Sequence, residues 1–245
     1  MTAFALKLVA VAAMLVDHLA YTLYLAGLYP SDYMTMRAVG RLAFPIFAFM
    51  LANGLTHTSS RAKYLARMAA FAAVSQPFFA LAFSSASYGS APFAGFDLFA
   101  PGLNVFFTLA VSLGVLAAFD ALIAAARTRC GVWRAVGALV LAGLAAVLVL
   151  PESDYGFMGL LLTAGLYLAR RSRAAQAAVI VLWSFAEYAM PVSSWWFVIG
   201  AAAAGALVLA YNGRRGAHAR WIYAFYPAHL AALWVLCRIL LYTLK

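Results

Sequence analysis

Asp17 and His18 are adjacent inside "MLVDHLAYTLY", residues 14–24, a stretch otherwise built of apolar and aromatic side chains. An ionisable group in hydrocarbon is costly and marks a pathway, a relay or a pair. An imidazole beside an acid at that depth is suited to taking and returning a proton near neutral pH. Arg37 and Arg41 follow, four apart and so on one helix face. Glu187 and His229, the latter in "FYPAHL", complete the polar set within apolar runs. By helical rise, Asp17 and His18 lie roughly 12 Å and Arg41 roughly 8 Å below the outer surface. Arg41 can therefore reach Asp17 across a short connection and keep it ionised. Two readings compete. Asp17 and Arg41 are a structural ion pair with the histidines as hydrogen-bonding glue between helices, or His18 is a base with Asp17, Arg41 and His229 around it. Adjacent helix positions point about 100° apart, so Asp17 and His18 need not touch.

The elements that must position these groups are membrane helices. Of 245 residues, 67% are apolar and 10% charged, and apolar runs of about 20 residues recur throughout. The expectation is an all-α, polytopic helical bundle forming one domain over residues 1–245. Alternating strands with a polar lumen are absent, which excludes a β-barrel. Apolar windows predict nine spans, with eight to ten as bounds: about 4–26, 36–57, 65–86, 104–126, 135–150, 156–169, 174–190, 195–211 and 221–243. The fifth and sixth are short. The first resembles a signal peptide but is too long and too polar at its centre, and is read as a retained helix.

Connections alternate in charge. Arg61, Lys63 and Arg67, then Arg127, Arg129 and Arg134, then Arg170, Arg171 and Arg173, then Arg214, Arg215 and Arg220 follow the even-numbered spans. Asp32, Asp97, Glu152 and Asp154 lie in the others. This positive-inside pattern predicts a cytoplasmic N-terminus and accounts for the net charge of +10, so no nucleic-acid partner is expected. Cys130 and Cys237 predict neither a disulfide nor a metal site. The longest connection, Ser84 to Asn104, is rich in Ser, Gly and Pro and reads as an interfacial flap in preference to a lid.

Two basic segments carry more than topology requires. "NGLTHTSSRAKYLAR" holds His57, Arg61, Lys63 and Arg67, and "YNGRRG" holds Asn212, Arg214 and Arg215 beside turn glycines. Guanidiniums next to a backbone that permits close approach suit phosphate groups. At the other face, Asp154 and Tyr155 precede the sixth span. The acid is read as that helix's N-cap, with capture of a cationic amine as the alternative.

The ordered set "MLVDH" (14–18), "RAVGRLAFPIFAFMLANGLTHT" (37–58), "KYLARM" (63–68), "SQPF" (75–78), "LNVFFTL" (103–109), "DYGFMG" (154–159), "YNGRRG" (211–216) and "FYPAHL" (225–230) resembles the TraX family, which acetylates conjugative pilin. That family resembles the wider acyltransferase-3 and heparan-α-glucosaminide N-acetyltransferase class of the membrane. The resemblance implies a multi-pass protein of the bacterial inner membrane that takes acetyl from cytoplasmic acetyl-coenzyme A. The acceptor is an amine or hydroxyl reached from outside, on a pilin-like peptide or an envelope glycan. It implies a basic mouth of His57, Arg61, Lys63, Arg67, Asn212, Arg214 and Arg215 for the coenzyme. His18 is then the base, Asp17 with Arg41 sets its tautomer, and His229 or Asn104 donates to the oxyanion; an acetyl-histidine route stays open. A proton-coupled transporter and an assembly factor are the rival classes.

Overall fold

The computed structural model describes residues 1–89, 93, 96–189, 195–217 and 221–244. Among these it contains ten α-helices and two short 3-10 turns. They are α1 (Ala3–Leu25), α2 (Tyr33–Gly40), α3 (Ala43–His57), α4 (Arg61–Phe83), α5 (Val105–Thr128), α6 (Val132–Val149), α7 (Gly156–Leu168), α8 (Arg173–Tyr188), α9 (Trp195–Leu209) and α10 (Trp221–Thr243). The starts follow local chemistry. Thr2, Ser60, Asn104 and Ser172 cap α1, α4, α5 and α8, each accepting from a backbone N–H of the first turn.

The protein is a multi-pass membrane protein. Among the described residues, six helical segments are long and apolar enough to cross a bilayer: Ala3–Leu25, Tyr33–His57, Arg61–Phe83, Val105–Thr128, Val132–Glu152 and Ala224–Thr243. α7 and α9 are apolar but shorter. The fifth span is longer than the sequence windows suggest, because the helix begins at Val132, just after Gly131, and its 3-10 end continues to Glu152. The second span is not one rod. It breaks at Arg41–Leu42, where backbone N–H groups turn to carbonyls three residues back. Pro45 explains the break: it has no N–H to return to the carbonyl of Arg41, and proline is tolerated only in the first turn of the new helix.

The centre is built from Leu6, Ile46, Phe49, Leu113, Leu166 and Val208, all at most 1% exposed. α1 packs on α2, α3 and α10; α4 packs on α5 and α10; α9 packs on α2, α3 and α8. Small residues permit the close crossings, as expected where helices associate by shape in lipid. A Cβ on Gly200 would overlap the carbonyl of Ala38. α6 lies at the periphery, with Leu141, Leu144, Val147 and Leu148 exposed, a surface suited to hydrocarbon and not to water.

Candidate functional site

α1 and the broken α2–α3 segment bring three charged side chains together. Asp17 Oδ2 accepts from Arg37 Nη1 at 2.8 Å, and Asp17 Oδ1 accepts from Arg41 Nη2 at 2.7 Å. Arg41 also donates from Nε to the Arg37 carbonyl and from Nη1 to the Tyr155 hydroxyl, at 3.3 and 3.4 Å. Arg37 lies over the Tyr21 ring. Gly40 makes the pairing possible, because a Cβ there would overlap the Asp17 side chain. The sequence reading of Asp17 with Arg41 holds in geometry, but it left Arg37 out of the site. The cluster carries one carboxylate against two guanidiniums, a surplus positive charge beside the histidine.

Asp17 does not bond to His18. His18 Nδ1 lies 2.7 Å from His229 Nε2, and His229 Nδ1 lies 2.9 Å from the Phe225 carbonyl oxygen. A carbonyl only accepts, so in the neutral pair His229 carries its proton on Nδ1 and presents Nε2 as acceptor. His18 must then donate from Nδ1, which leaves its Nε2 with a free lone pair. The tautomer of His18 is thus set by His229 and a backbone carbonyl of α10, where the sequence had assigned that task to Asp17. Stacking reinforces the arrangement: the two imidazoles lie 5.0 Å apart at 11°, and Phe225 stacks on His229 at 4.8 Å.

His18 and the ion cluster line a cavity of about 670 Å³ whose rim is formed by residues 100–103 and 151–155. The rim segments are tied together. Leu103 N–H donates to Glu152 O at 2.6 Å, and Asp154 N–H donates to Leu103 O at 2.9 Å. The end of the long connection is therefore part of the cavity wall and not a loose flap; residues 90–92, 94 and 95 of it lie outside the described residues. Tyr155 stacks on Phe44 with centroids 3.8 Å apart. It has φ 63°, a costly conformation for a tyrosine that the surrounding contacts must hold.

Two assignments at this end need correction. Asn104 is not available to a substrate. It is fully buried, donates from Nδ2 to Ala72 O and Gln76 Oε1, each at 2.9 Å, and accepts from Phe106 N–H at 3.0 Å. Bracing α4 engages its amide donor and capping α5 its amide oxygen, so the side chain is spent on the fold. Asp154, in turn, is not the N-cap of α7; that position is Tyr155, and no side chain caps it. The Asp154 carboxylate instead lines the cavity without an ion-pair partner among the described residues. Surrounding protein pushes its carboxyl up from the usual range, against the opposing pull of Arg41, although the group remains accessible from the cavity. Glu187 is half-buried near the end of α8 and makes no ion pair among the described residues.

A second cavity, about 500 Å³, lies toward the end of the bundle that carries Met1 and the basic connections. His57, Arg67 and Arg215 line it, as expected, and so does Lys7, which the sequence reading passed over as part of the first apolar run. Its wall is pinned by the chain start: Ala3 N–H donates to Arg214 O and Phe4 N–H to Arg215 O, at 2.9 and 3.1 Å, while Asn212 N–H donates to Met1 O at 2.8 Å. Lys63, Asn212 and Arg214 do not line this cavity. Arg61 does not either; it pairs with Asp120 at 2.8 Å, which also accepts from the Tyr167 hydroxyl. Met14, Phe47 and Val105 belong to both cavities. The two spaces share these three apolar side chains in their walls, with His18 lining the first and Lys7, His57, Arg67 and Arg215 lining the second.

Comparison with known proteins agrees with the sequence motifs. No solved structure matches the chain. The chain is 30% identical over 252 residues to a probable fimbrial assembly protein FimC, serogroup H1, of Dichelobacter nodosus, covering 95% of this chain and 94% of the relative. The family model described as TraX protein matches residues 3–237, and with nearly the whole helical bundle inside that match the chain belongs to the TraX family.

Proposed function

We propose that the protein is a membrane acetyltransferase that uses acetyl-coenzyme A at its basic end and acetylates an amine or hydroxyl acceptor entering from the other end. One observation carries the reading: two cavities of unlike chemistry share Met14, Phe47 and Val105 in their walls, and the first is lined by a histidine whose Nε2 is free. Family membership and the fimbrial-assembly relative support a surface-appendage role, with a pilin-like peptide or an envelope glycan as acceptor. The resemblance in sequence pattern to acyltransferase-3 enzymes is in keeping with this chemistry. The charge asymmetry of the connections supports a cytoplasmic basic end, and with it a place in the bacterial inner membrane.

Lys7, Arg67 and Arg215, with His57, complement the phosphates of coenzyme A. The pantetheine arm passes between Met14, Phe47 and Val105 toward His18. His18 Nε2 takes the proton of the acceptor N–H or O–H as that atom attacks the thioester carbonyl. The new N–C or O–C bond forms, the C–S bond breaks, and His18 returns the proton to the departing thiolate. His229 accepts from His18 Nδ1 throughout and stabilises the imidazolium. The surplus positive charge of Arg37 and Arg41 over Asp17 favours the negative charge that develops on the carbonyl oxygen.

The test is purified protein with acetyl-labelled acetyl-coenzyme A, comparing wild type with His18→Ala and Arg215→Ala. Saturable binding and slow thioester hydrolysis are expected, with turnover lost in the first variant and binding weakened in the second. Folded wild-type protein that binds no acetyl-coenzyme A would overturn the proposal. The same two cavities also fit a proton-coupled transporter, which would move solute with the same buried groups and leave the thioester intact.

A further inference from the structure

The cavity beside His18 has two unlike walls. One is the charged cluster of Asp17, Arg37 and Arg41; the other is aromatic. Phe79 and Phe83 stand one helical turn apart on the same face of α4. Both are buried, at 6% and 9% exposure, and they pack edge to face at 4.8 Å. Phe83 meets the His18 ring edge-on at 5.0 Å and leans on Tyr21 at 5.3 Å. Both phenylalanines line the same cavity as His18.

A thioester placed for attack beside His18 has polar and apolar parts. Its carbonyl oxygen and the incoming acceptor seek the charged wall, because an unpaired polar group against phenyl rings is penalised. Its acyl chain is left to the aromatic wall, where apolar area is removed from water. The two rings pack edge to face on each other, and Phe83 packs also on His18 and Tyr21, so the rings stand together as one aromatic surface beside the histidine.

We infer that Phe79 and Phe83 form the acyl subsite and set its ceiling at short acyl groups. Acetyl lies in the cavity against the rings beside His18, and longer chains are refused by the rings. The inference rests on the acetyltransferase reading and assigns its donor selectivity to two residues of α4.

The experiment measures thiol release from acetyl-, butyryl- and hexanoyl-coenzyme A by purified wild type, Phe79→Ala, Phe83→Ala and the milder Phe79→Leu and Phe83→Leu. A parallel readout measures thermal stabilisation by the S-ethyl and S-hexyl thioethers of coenzyme A, which cannot react. Wild type should prefer acetyl to hexanoyl, and at least one substitution should shift that ratio toward the longer chain by about tenfold or more, the scale of pocket discrimination against added methylenes. S-hexyl-coenzyme A should stabilise that variant more than it stabilises wild type. Turnover of acetyl-coenzyme A with the same chain-length profile in all folded variants would overturn the inference and leave the acetyltransferase reading standing. No turnover or binding of any thioester by wild type would overturn both. If the alanine variants do not fold, the leucine pair decides between these outcomes.

Discussion

His18 Nδ1 and His229 Nε2 lie 2.7 Å apart although 211 residues separate them in the chain. The Phe225 carbonyl behind His229 orders the proton positions of both rings. His18→Ala should lower thioester turnover by about 10²- to 10⁴-fold, the usual worth of a general base. His229→Ala should lose on the order of tenfold or more through misorientation of a base that is still present. Its pH–rate profile should shift more than that of a Phe225 substitution, which removes the stacked ring but keeps the carbonyl that orders the protons. Turnover and binding measured across pH on the same preparations check this.

Asp17 holds two guanidiniums at once. Replacing it with alanine strands two nearly buried cations, so Asp17→Ala should destabilise the protein by about 3–5 kcal/mol, the usual cost of breaking a buried pair. Gly40→Ala should weaken the same cluster without removing a charge, because its Cβ would occupy the space of the Asp17 side chain. Thermal unfolding in detergent compares the two. A Gly40→Ala protein as stable as wild type would show that the crossing is looser than this.

At the basic end, Lys7→Ala, Arg67→Ala and Arg215→Ala should each raise KM for acetyl-coenzyme A with kcat little changed, since they act on binding remote from the reacting atoms. Arg61→Ala should leave KM alone. Arg61 is half-exposed and engaged with Asp120, and its loss should cost at most about 1 kcal/mol of stability. Equal effects of Arg61 and Arg215 on KM would mean that the phosphate site extends beyond the cavity.

Asn104→Ala should act on the fold and not on the chemistry. It removes the α5 cap and the side-chain bonds to Ala72 and Gln76, while Gln76 keeps its backbone partners, at a cost of about 0.5–2 kcal/mol. Turnover per folded molecule should stay near wild type, measured after correction for the folded fraction.

The Asp154 carboxyl is pushed up by its surroundings. A raised value in the folded state means that the protonated form is favoured there. Its stabilising contribution is present below the ordinary carboxylate range and is lost as pH rises through the folded value. Asp154→Asn should therefore be more stable than wild type at neutral and alkaline pH, and the advantage should shrink toward acid pH. Melting curves of both proteins across pH check the sign.

Much of this protein was legible in one dimension. The apolar runs and the alternating loop charges are local features, and hydrocarbon leaves a chain of this composition only the helical answer. The spacing of Arg37 and Arg41 already placed both on one face with Asp17 in reach. Pairing partners were not legible. Whether Asp17 meets one arginine or two depends on the break before Pro45 and on the absence of a side chain at Gly40. Whether His18 looks to Asp17 or to His229 depends on how α10 lies against α1. Lys7 looked like a lone charge in an apolar run until α1 packed beside the loop at 211–216. Asp154 precedes a helix and so read as a cap, yet the helix begins at Gly156 and the cap position falls on Tyr155. Residue type and helical period settle what a side chain can do; which groups it faces is set by helix crossings, and those are determined by packing between segments far apart in the chain.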